Sequence, residues 1–293
     1  MSAARTAALM ALLSIVLVVA GAGLGGLLGN WMAWTIGAFV FALLLNFASY
    51  WFSDKLALAM AGAKEVSREQ EPDLHDLVES LAKKASLPKP KVYMIDKDSP
   101  NAFATGRSKE HAVVAVTRGL YRNMGRDELE GVLSHELAHI RNRDMLTMSI
   151  VATMVTTITF LASMARMAAI FGGMGRSRDD RNPLGGVGII GIIVASILLP
   201  MAAMLVQLAI SRTREFQADA IGARICGKPW ALASALERLE SLVKQKPMEV
   251  NPAVAHMFIV NPFKAQGVMG LFSTHPPIAE RVRRLKAMQV QPL

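Results

Sequence analysis

The chain carries the sequence Ser134-His135-Glu136-Leu137-Ala138-His139-Ile140 near its middle. On an α-helix, residues four apart lie one turn apart on the same face, so the two imidazoles converge on one point. Converging imidazoles can bind Zn²⁺, and Glu136 stands where it could take a proton from a metal-bound water. Two histidines at this spacing would alone favour a buried helix without a metal. Glu136 directly after His135, together with the flanking sequence, favours a zinc site.

The composition indicates a membrane protein. Of the 293 residues, 52% are hydrophobic, and the mean hydropathy is +0.33, which is untypical of a soluble enzyme. The formal net charge is +9, but the basic residues are scattered and no nucleic-acid-binding motif accompanies them. We therefore expect no nucleic-acid partner and assign the charge to a membrane surface. The single cysteine, Cys226, cannot form an internal disulfide and is expected to be a small buried side chain.

Uncharged apolar runs predict four transmembrane helices, two within residues 6–52 and two within residues 145–210. The first run also resembles a secretory signal sequence, which remains an alternative for that segment. The polar segments 53–144 and 211–293 are expected to form the two halves of one catalytic domain. Basic residues lie close to the spans in both segments, and the positive-inside rule places them in the cytoplasm.

A third metal ligand must come from outside the histidine motif. A hydrolytic zinc site commonly has three protein ligands and one open position for water. The extended motif with a third histidine fails, because Asn142 and Met145 stand where it requires glycine and histidine. The hairpin within residues 145–210 brings the segment that follows it beside the histidine helix. We predict Glu215 as the third ligand and Asp219, one turn later, as a hydrogen-bond acceptor for a liganding imidazole.

Two further features concern the substrate. Residues 91–96 and 111–117 are predicted strands of a small antiparallel β-sheet in a mainly α-helical chain, with Asn101-Ala102-Phe103-Ala104 between them. An extended polypeptide could pair with an edge strand here, although an edge without a partner is more common. His275 precedes two prolines, whose rigid turn would hold its ring. It could stabilise the oxyanion of a tetrahedral intermediate or cap a helix.

Together these motifs resemble the HtpX-type integral-membrane zinc metalloproteases, relatives of the prenyl-protein (CaaX) endoprotease. The resemblance rests on an N-terminal hydrophobic pair, Asn101-Ala102-Phe103-Ala104, His135-Glu136-Leu137-Ala138-His139, Arg214-Glu215 to Ala218-Asp219, and Thr274-His275-Pro276-Pro277. It implies a gluzincin-like domain with one Zn²⁺ on His135, His139 and Glu215. It also implies Glu136 as the general base, Asp219 as a support of the metal site and a role for His275 at the oxyanion.

The resemblance further implies a biological role. It points to cleavage of misfolded or damaged membrane proteins, in quality control and the stress response, by a multi-pass protein of the plasma (inner) membrane. The expected partners are therefore unfolded or membrane-protein polypeptides and the lipid bilayer.

Two other functions remain open from the sequence. An intramembrane protease of the site-two type carries the same motif inside an apolar span, whereas charged residues such as Arg126, Asp127, Arg141 and Arg143 flank it here. A non-enzymatic membrane chaperone or scaffold could hold a structural zinc, which would require a fourth protein ligand.

Overall fold

The structure is a computed structural model that describes residues 2–28, 30–174, 212–248, 250–261 and 275–289. Helices dominate it, which confirms the predicted mainly α-helical class. In chain order they are α1 Ser2–Leu28, α2 Trp31–Ala61, α3 Pro72–Lys84, α4 Arg118–Asn123, α5 Arg126–Asn142, α6 Asp144–Met174, α7 Arg212–Cys226, α8 Pro229–Gln245, α9 Pro252–Ala255 and α10 Ile278–Lys286. The strands are β1 Ala63–Glu65, β2 Lys91–Ile95, β3 Ala102–Thr105 and β4 Val113–Thr117.

The sheet is mixed, so the predicted antiparallel sheet is wrong in its central pair. The strand order is β1-β2-β4-β3, with β2 and β4 parallel and the two outer pairings antiparallel. The physical reason is the placement of the β3–β4 hairpin. The second strand of this hairpin, β4, packs between β3 and β2. It runs antiparallel to β3 and in the same direction as β2. Residues 102–105, predicted to lie between strands, form the edge strand β3 of this sheet.

Three described helices, α1, α2 and α6, contain three of the four predicted transmembrane segments. Within the described ranges, α2 is the one helix that is long and apolar enough to cross a membrane, and it continues past residue 52 to Ala61. Shorter apolar stretches, Met10–Gly23 and Asp144–Phe160, lie in α1 and α6. These three helices share a buried apolar cluster that includes Leu13, Ala42 and Ile150. The predicted fourth span, within residues 187–210, lies outside the described residues.

The polar part of the chain packs around α5. Nearly every residue of α5 from Leu129 to Ile140 is buried. Helix α7 crosses one side of α5, α8 crosses another, and β3 lies beside it. The helix ends at Asn142 because Arg143 adopts a left-handed conformation (φ 60°), after which α6 begins in a new direction. The histidine motif is therefore held inside the fold and next to the start of α6.

Candidate metal centre

Helices α5 and α7 bring the three predicted ligands together. His135 and His139 lie one turn apart on α5, and their Nε2 atoms are 3.2 Å apart. Glu215 comes from the first turn of α7, and its Oε1 lies 3.5 Å from Nε2 of His139. All three side chains are buried, and their ligand atoms lie within 4.8 Å of one another. Topology thus assembles a group of metal-ligating atoms from segments 76 residues apart in sequence.

The geometry of this group fits a small divalent metal ion. Tetrahedral zinc, with bonds of about 2.0–2.2 Å to nitrogen and oxygen, holds ligand atoms about 3.3 Å apart. Because the two Nε2 atoms face each other, each ring carries its hydrogen on Nδ1 when it binds a metal. Oε1 of Glu215 has no hydrogen-bond partner within the described residues, which leaves a lone pair for a metal.

The charges around the group also call for a cation. Four buried carboxylates surround it, namely Glu136, Glu215, Asp219 and Asp144. Two guanidinium groups lie among them, those of Arg281 and Arg214. With the ligand histidines neutral, as metal binding requires, the imbalance is two negative charges, which a divalent cation would neutralise. Burying such unpaired charge is costly, so the composition of the pocket itself indicates a metal.

The ionisation of the pocket agrees with this charge balance. Burial raises the pKa of Glu136 to about 7, and the neighbouring Glu215 acts in the same direction. Burial lowers the pKa of His139, but the nearby carboxylates of Asp144 and Glu215 outweigh burial and raise that pKa to about 9. Burial lowers the pKa of His135 to about 4, so the pocket favours positive charge at His139 and not at His135. A divalent cation beside Glu136 would lower its pKa and keep the carboxylate ionised.

The ion pair of Asp219 with Arg281 holds the His135 ring on the side of its Nδ1 atom. Its Nδ1 lies 3.0 Å from Oδ1 of Asp219, the acceptor that the sequence predicts. Arg281 donates to both Asp219 oxygens, from Nε at 2.8 Å and from Nη2 at 2.7 Å. Nη2 of Arg281 also lies 3.4 and 3.5 Å from the two ring nitrogens of His135, so the guanidinium group stacks against the ring. The orientation of His135 therefore depends on two charged side chains.

Sequence reasoning missed the role of Arg281. Arg281 stands close to Arg283, Arg284 and Lys286 in the sequence, as in an exposed basic helix face, whereas the structure buries it completely. The available signal was its position in the apolar stripe of that helix. Ile278, Val282 and Leu285 face the core, and Arg281 occurs at the same helical spacing. A charged residue inside such a stripe needs a buried partner, which here is Asp219.

Helix packing sets the distance from α7 to the histidines. A Cβ atom at Gly222 would lie 2.9 Å from both the Cα and the N of His135, so a side chain cannot fit there without movement. We expect Gly222→Ala to shift α7 and lower zinc affinity, at an overpacking cost of about 1–3 kcal/mol in stability. Alanine also favours a helix by about 1 kcal/mol, so zinc affinity is the sharper measurement.

Zinc competition with a fluorescent chelator measures the effect of Gly222→Ala. Gln217→Ala, an exposed change on the same helix, is the matched control and should bind zinc like the unchanged protein. Equal zinc affinity for Gly222→Ala would show that the close helix crossing does not set the ligand geometry.

The structure places His275 against a predicted metal ligand. Its Nδ1 lies 2.9 Å from Oε2 of Glu215, and its side chain is 10% exposed. Its Nε2 is buried and has no hydrogen-bond partner within the described ranges. The ring therefore contacts the ligand group directly. Its predicted role at an oxyanion stays a prediction.

The predicted substrate segment borders the same pocket. Thr117 N–H donates to the carbonyl of Asn101 at 2.9 Å, so the main-chain groups of alternate residues, Ala102 and Ala104, face the outer edge of β3, away from β4. The Ala104 N–H group faces the Glu136 carboxylate and, as a hydrogen-bond donor, favours its ionised form. This edge of the sheet therefore runs past the predicted general base.

The remaining residues of that segment are buried. The side-chain Nδ2 of Asn101 donates to the carbonyl of Val260 at 2.8 Å. Phe103 packs edge to face on Phe258, with ring centroids 5.1 Å apart. Neither side chain is exposed at the edge, so a substrate would meet the main chain of β3 rather than these two side chains.

Comparison with known proteins identifies the family. The family model "Peptidase family M48" matches residues 68–289. The "Protease HtpX homolog" of Pyrococcus furiosus is 50% identical over 288 residues, which cover 98% of this chain and 96% of that protein. The "Protease HtpX homolog" of Thermodesulfovibrio yellowstonii is 51% identical over 284 residues, 97% of each chain. Among solved structures, S. mikatae Ste24p aligns with a TM-score of 0.49 at 22% identity, over 86% of this chain and 58% of that chain.

The histidine helix, the buried ligand group and these relatives define a metallopeptidase, a hydrolase that acts on peptide bonds. The chain belongs to peptidase family M48. The predicted resemblance to HtpX-type proteases is confirmed by relatives that match it over nearly its full length.

Proposed function

We propose that the protein is a membrane-bound zinc endopeptidase that cleaves misfolded or damaged membrane proteins. The observation that carries this proposal is the buried group of His135, His139 and Glu215, with Glu136 beside it at the edge of β3. Within the described residues the group has three members, as expected for a hydrolytic site with one position left for water. A structural zinc in a scaffold protein would need a fourth.

In the proposed mechanism each side chain has one task. His135, His139 and Glu215 hold Zn²⁺, which when bound acidifies water and polarises a carbonyl. Glu136 takes a proton from the attacking water and passes it to the leaving amine. The Ala104 N–H group holds the Glu136 carboxylate at the edge of β3, where an extended substrate backbone would pair.

His275 is assigned to the oxyanion in this proposal. A neutral ring whose Nδ1 donates to Glu215 has an acceptor at Nε2, so only a protonated ring could also donate from Nε2. In that form His275 would donate to the oxyanion as negative charge develops there.

The proposed location is a membrane, with both halves of the catalytic domain in the cytoplasm. Helix α2 supports this placement because it exposes large apolar side chains along its length, including Trp34, Phe39, Leu43, Phe47 and Trp51. Exposed apolar surface of this extent suits contact with lipid. Helix α6 begins five residues after His139, so the active site would lie near the bilayer surface, where it meets membrane-protein segments.

Metal removal tests the proposed activity. In the purified full-length chain in detergent, chelation should abolish cleavage of β-casein, and one equivalent of Zn²⁺ per chain should restore it. A destabilised membrane protein should be cleaved faster than its folded form. Cleavage that continues at an unchanged rate after metal analysis shows no bound metal would contradict the proposal.

A further inference from the structure

We propose that Asp144 and Arg214 form a positioning pair for His139, equivalent to the pair that holds His135, and that this pair couples the metal site to the helices at the membrane. The inference rests on the metal site of the proposed function. The observations that support it are separate from those of the metal site. They concern Nδ1 of His139 and the first turns of α6 and α7, which lie beside that atom.

The contacts form a chain of three side chains. Nδ1 of His139 lies 3.5 Å from Oδ2 of Asp144, and Oδ1 of Asp144 accepts from Nη1 of Arg214 at 3.2 Å. Asp144 is 4% exposed, and the side chain of Arg214 is 12% exposed. A buried aspartate therefore stands between a predicted metal ligand and a guanidinium group.

The two facing atoms lack other partners. Neither Nδ1 of His139 nor Oδ2 of Asp144 has a hydrogen-bond partner among the residues that the structure describes. Buried polar atoms are rarely left unpaired, and these two need only a few tenths of an ångström to form a hydrogen bond. Metal binding at Nε2 requires the hydrogen on Nδ1, and an ionised carboxylate is the acceptor that fixes this tautomer.

The same arrangement occurs on the other histidine. His135 faces Asp219, which is paired with Arg281, and His139 faces Asp144, which is paired with Arg214. Nδ1 of each ligand histidine thus faces a carboxylate, and that carboxylate pairs with a guanidinium group. The repetition on both ligand histidines supports a shared role in holding the rings.

The position of the second pair gives it a further consequence. Asp144 is the first residue of α6, and Arg214 lies in the first turn of α7, directly before the ligand Glu215. The ion pair therefore joins the start of a predicted transmembrane helix to the helix that supplies the third ligand. A shift of α6 relative to α7 would change the partner of His139, and the metal affinity would change with it.

Zinc affinity of the full-length protein tests this inference. We expect Asp144→Asn to raise the zinc dissociation constant by about 10- to 100-fold in chelator competition, the usual effect of replacing such a carboxylate. Asp127→Asn is a matched control, since Asp127 also lies in the first turn of a helix and also pairs with a basic residue, Lys228 at 2.6 Å. It should leave zinc affinity within about twofold of the unchanged protein.

A second measurement separates positioning from folding. An aspartate in a first turn also stabilises its helix, so the melting temperature of each metal-free variant is recorded. Asp144→Ser removes the carboxylate but keeps a residue that suits a helix start, and should lose zinc affinity like Asp144→Asn. Unchanged zinc affinity in both variants, or a loss no larger than the loss in metal-free stability explains, would overturn the inference. Failure of the unchanged protein to bind zinc would instead contradict the proposed function.

A second inference comes from different contacts, those at the outer edge of β3, away from β4. We infer that residues 257–260 occupy the edge where substrate would pair and must leave before it binds. Ile259 N–H donates to the carbonyl of Ala102 at 3.1 Å. The side-chain amide of Asn101 bonds both main-chain groups of Val260, at 2.8 Å to the carbonyl and 3.4 Å from the N–H.

This segment and a substrate would compete for the same groups. Ala102 and Ala104 are the β3 residues whose main chains face outward, and they lie about 7 Å apart, the span of two substrate residues. The carbonyl of Ala102 is already bonded to Ile259, and the Ile259 carbonyl accepts from Nη1 of Arg281 at 3.1 Å. Burial of Phe258 against Phe103 adds apolar contact. The resting chain therefore covers part of its own edge.

Hydrogen exchange tests this displacement. In the Glu136→Gln variant, binding of β-casein, followed by fluorescence anisotropy, should speed amide exchange in residues 257–260, while β4 stays protected. Unchanged or slower exchange with casein bound would overturn the inference. As a second test, Ile259→Pro, which removes the N–H donor, should lower KM severalfold relative to Ile259→Val. A higher KM would overturn it too, whereas absence of any casein binding would contradict the proposed function.

Discussion

Replacing Glu136 by glutamine should leave zinc bound and lower kcat for peptide cleavage by about 10²- to 10⁴-fold, the usual contribution of a general base. Glutamine keeps the size of the side chain but cannot accept the proton of the attacking water. It does not belong to the ligand group, so the metal content should stay at one zinc per chain. Steady-state cleavage of β-casein, with zinc analysis of the same preparation, measures both effects.

The control for this variant is Glu240→Gln on α8, where the side chain is 43% exposed. It should cleave casein like the unchanged protein. Wild-type activity in a zinc-loaded Glu136→Gln protein would remove Glu136 from the mechanism. Loss of zinc from that variant would instead show that Glu136 supports the metal group. Glu136 is close enough to the ligand Glu215 for the charge of Glu215 to raise its pKa.

Replacing Arg281 by methionine should destabilise the protein by about 3–5 kcal/mol, the usual cost of leaving one member of a buried ion pair without its partner. Arg281 is completely buried and donates to both oxygens of Asp219. Without it, Asp219 would bind a proton and become a poorer acceptor for His135. We therefore expect zinc affinity to fall by about 10- to 100-fold as well. Thermal melting and chelator competition measure the two effects.

A double variant separates stability from positioning. Arg281→Met combined with Asp219→Leu removes both charges, so the melting temperature should recover part of its loss, since apolar replacements of buried pairs are often well tolerated. Zinc affinity should not recover, because His135 still lacks its acceptor. Recovery of both quantities would show that Arg281 and Asp219 serve the fold alone.

Helical spacing in the sequence is sufficient to predict helices such as α3, Pro72–Lys84. The apolar residues Leu74, Leu77, Val78 and Leu81 recur at helical spacing, and all four are buried in α3. The three ligands could be proposed because His135 and His139 are one helical turn apart and because a predicted hairpin within residues 145–210 would return the chain to the histidine helix. The first rule is local, and the second depends on the predicted membrane topology.

Tertiary placement was what the sequence could not supply. The parallel pairing of β2 with β4 depends on where the β3–β4 hairpin packs, which no residue pattern within these strands determines. Arg281 and Asp144 were missed for the same reason. Each looks like a surface charge in its own segment, and its partner lies on another helix, 62 residues from Arg281 and 70 residues from Asp144.

The most direct test of the account is the zinc coordination in the full-length protein, measured by X-ray absorption at the zinc edge. We predict one zinc per chain with two imidazole nitrogens, one carboxylate and one exchangeable water oxygen, and loss of the carboxylate in Glu215→Ala. A shell of four protein ligands, a sulfur ligand, or a spectrum unchanged by Glu215→Ala would contradict the three-ligand hydrolytic site.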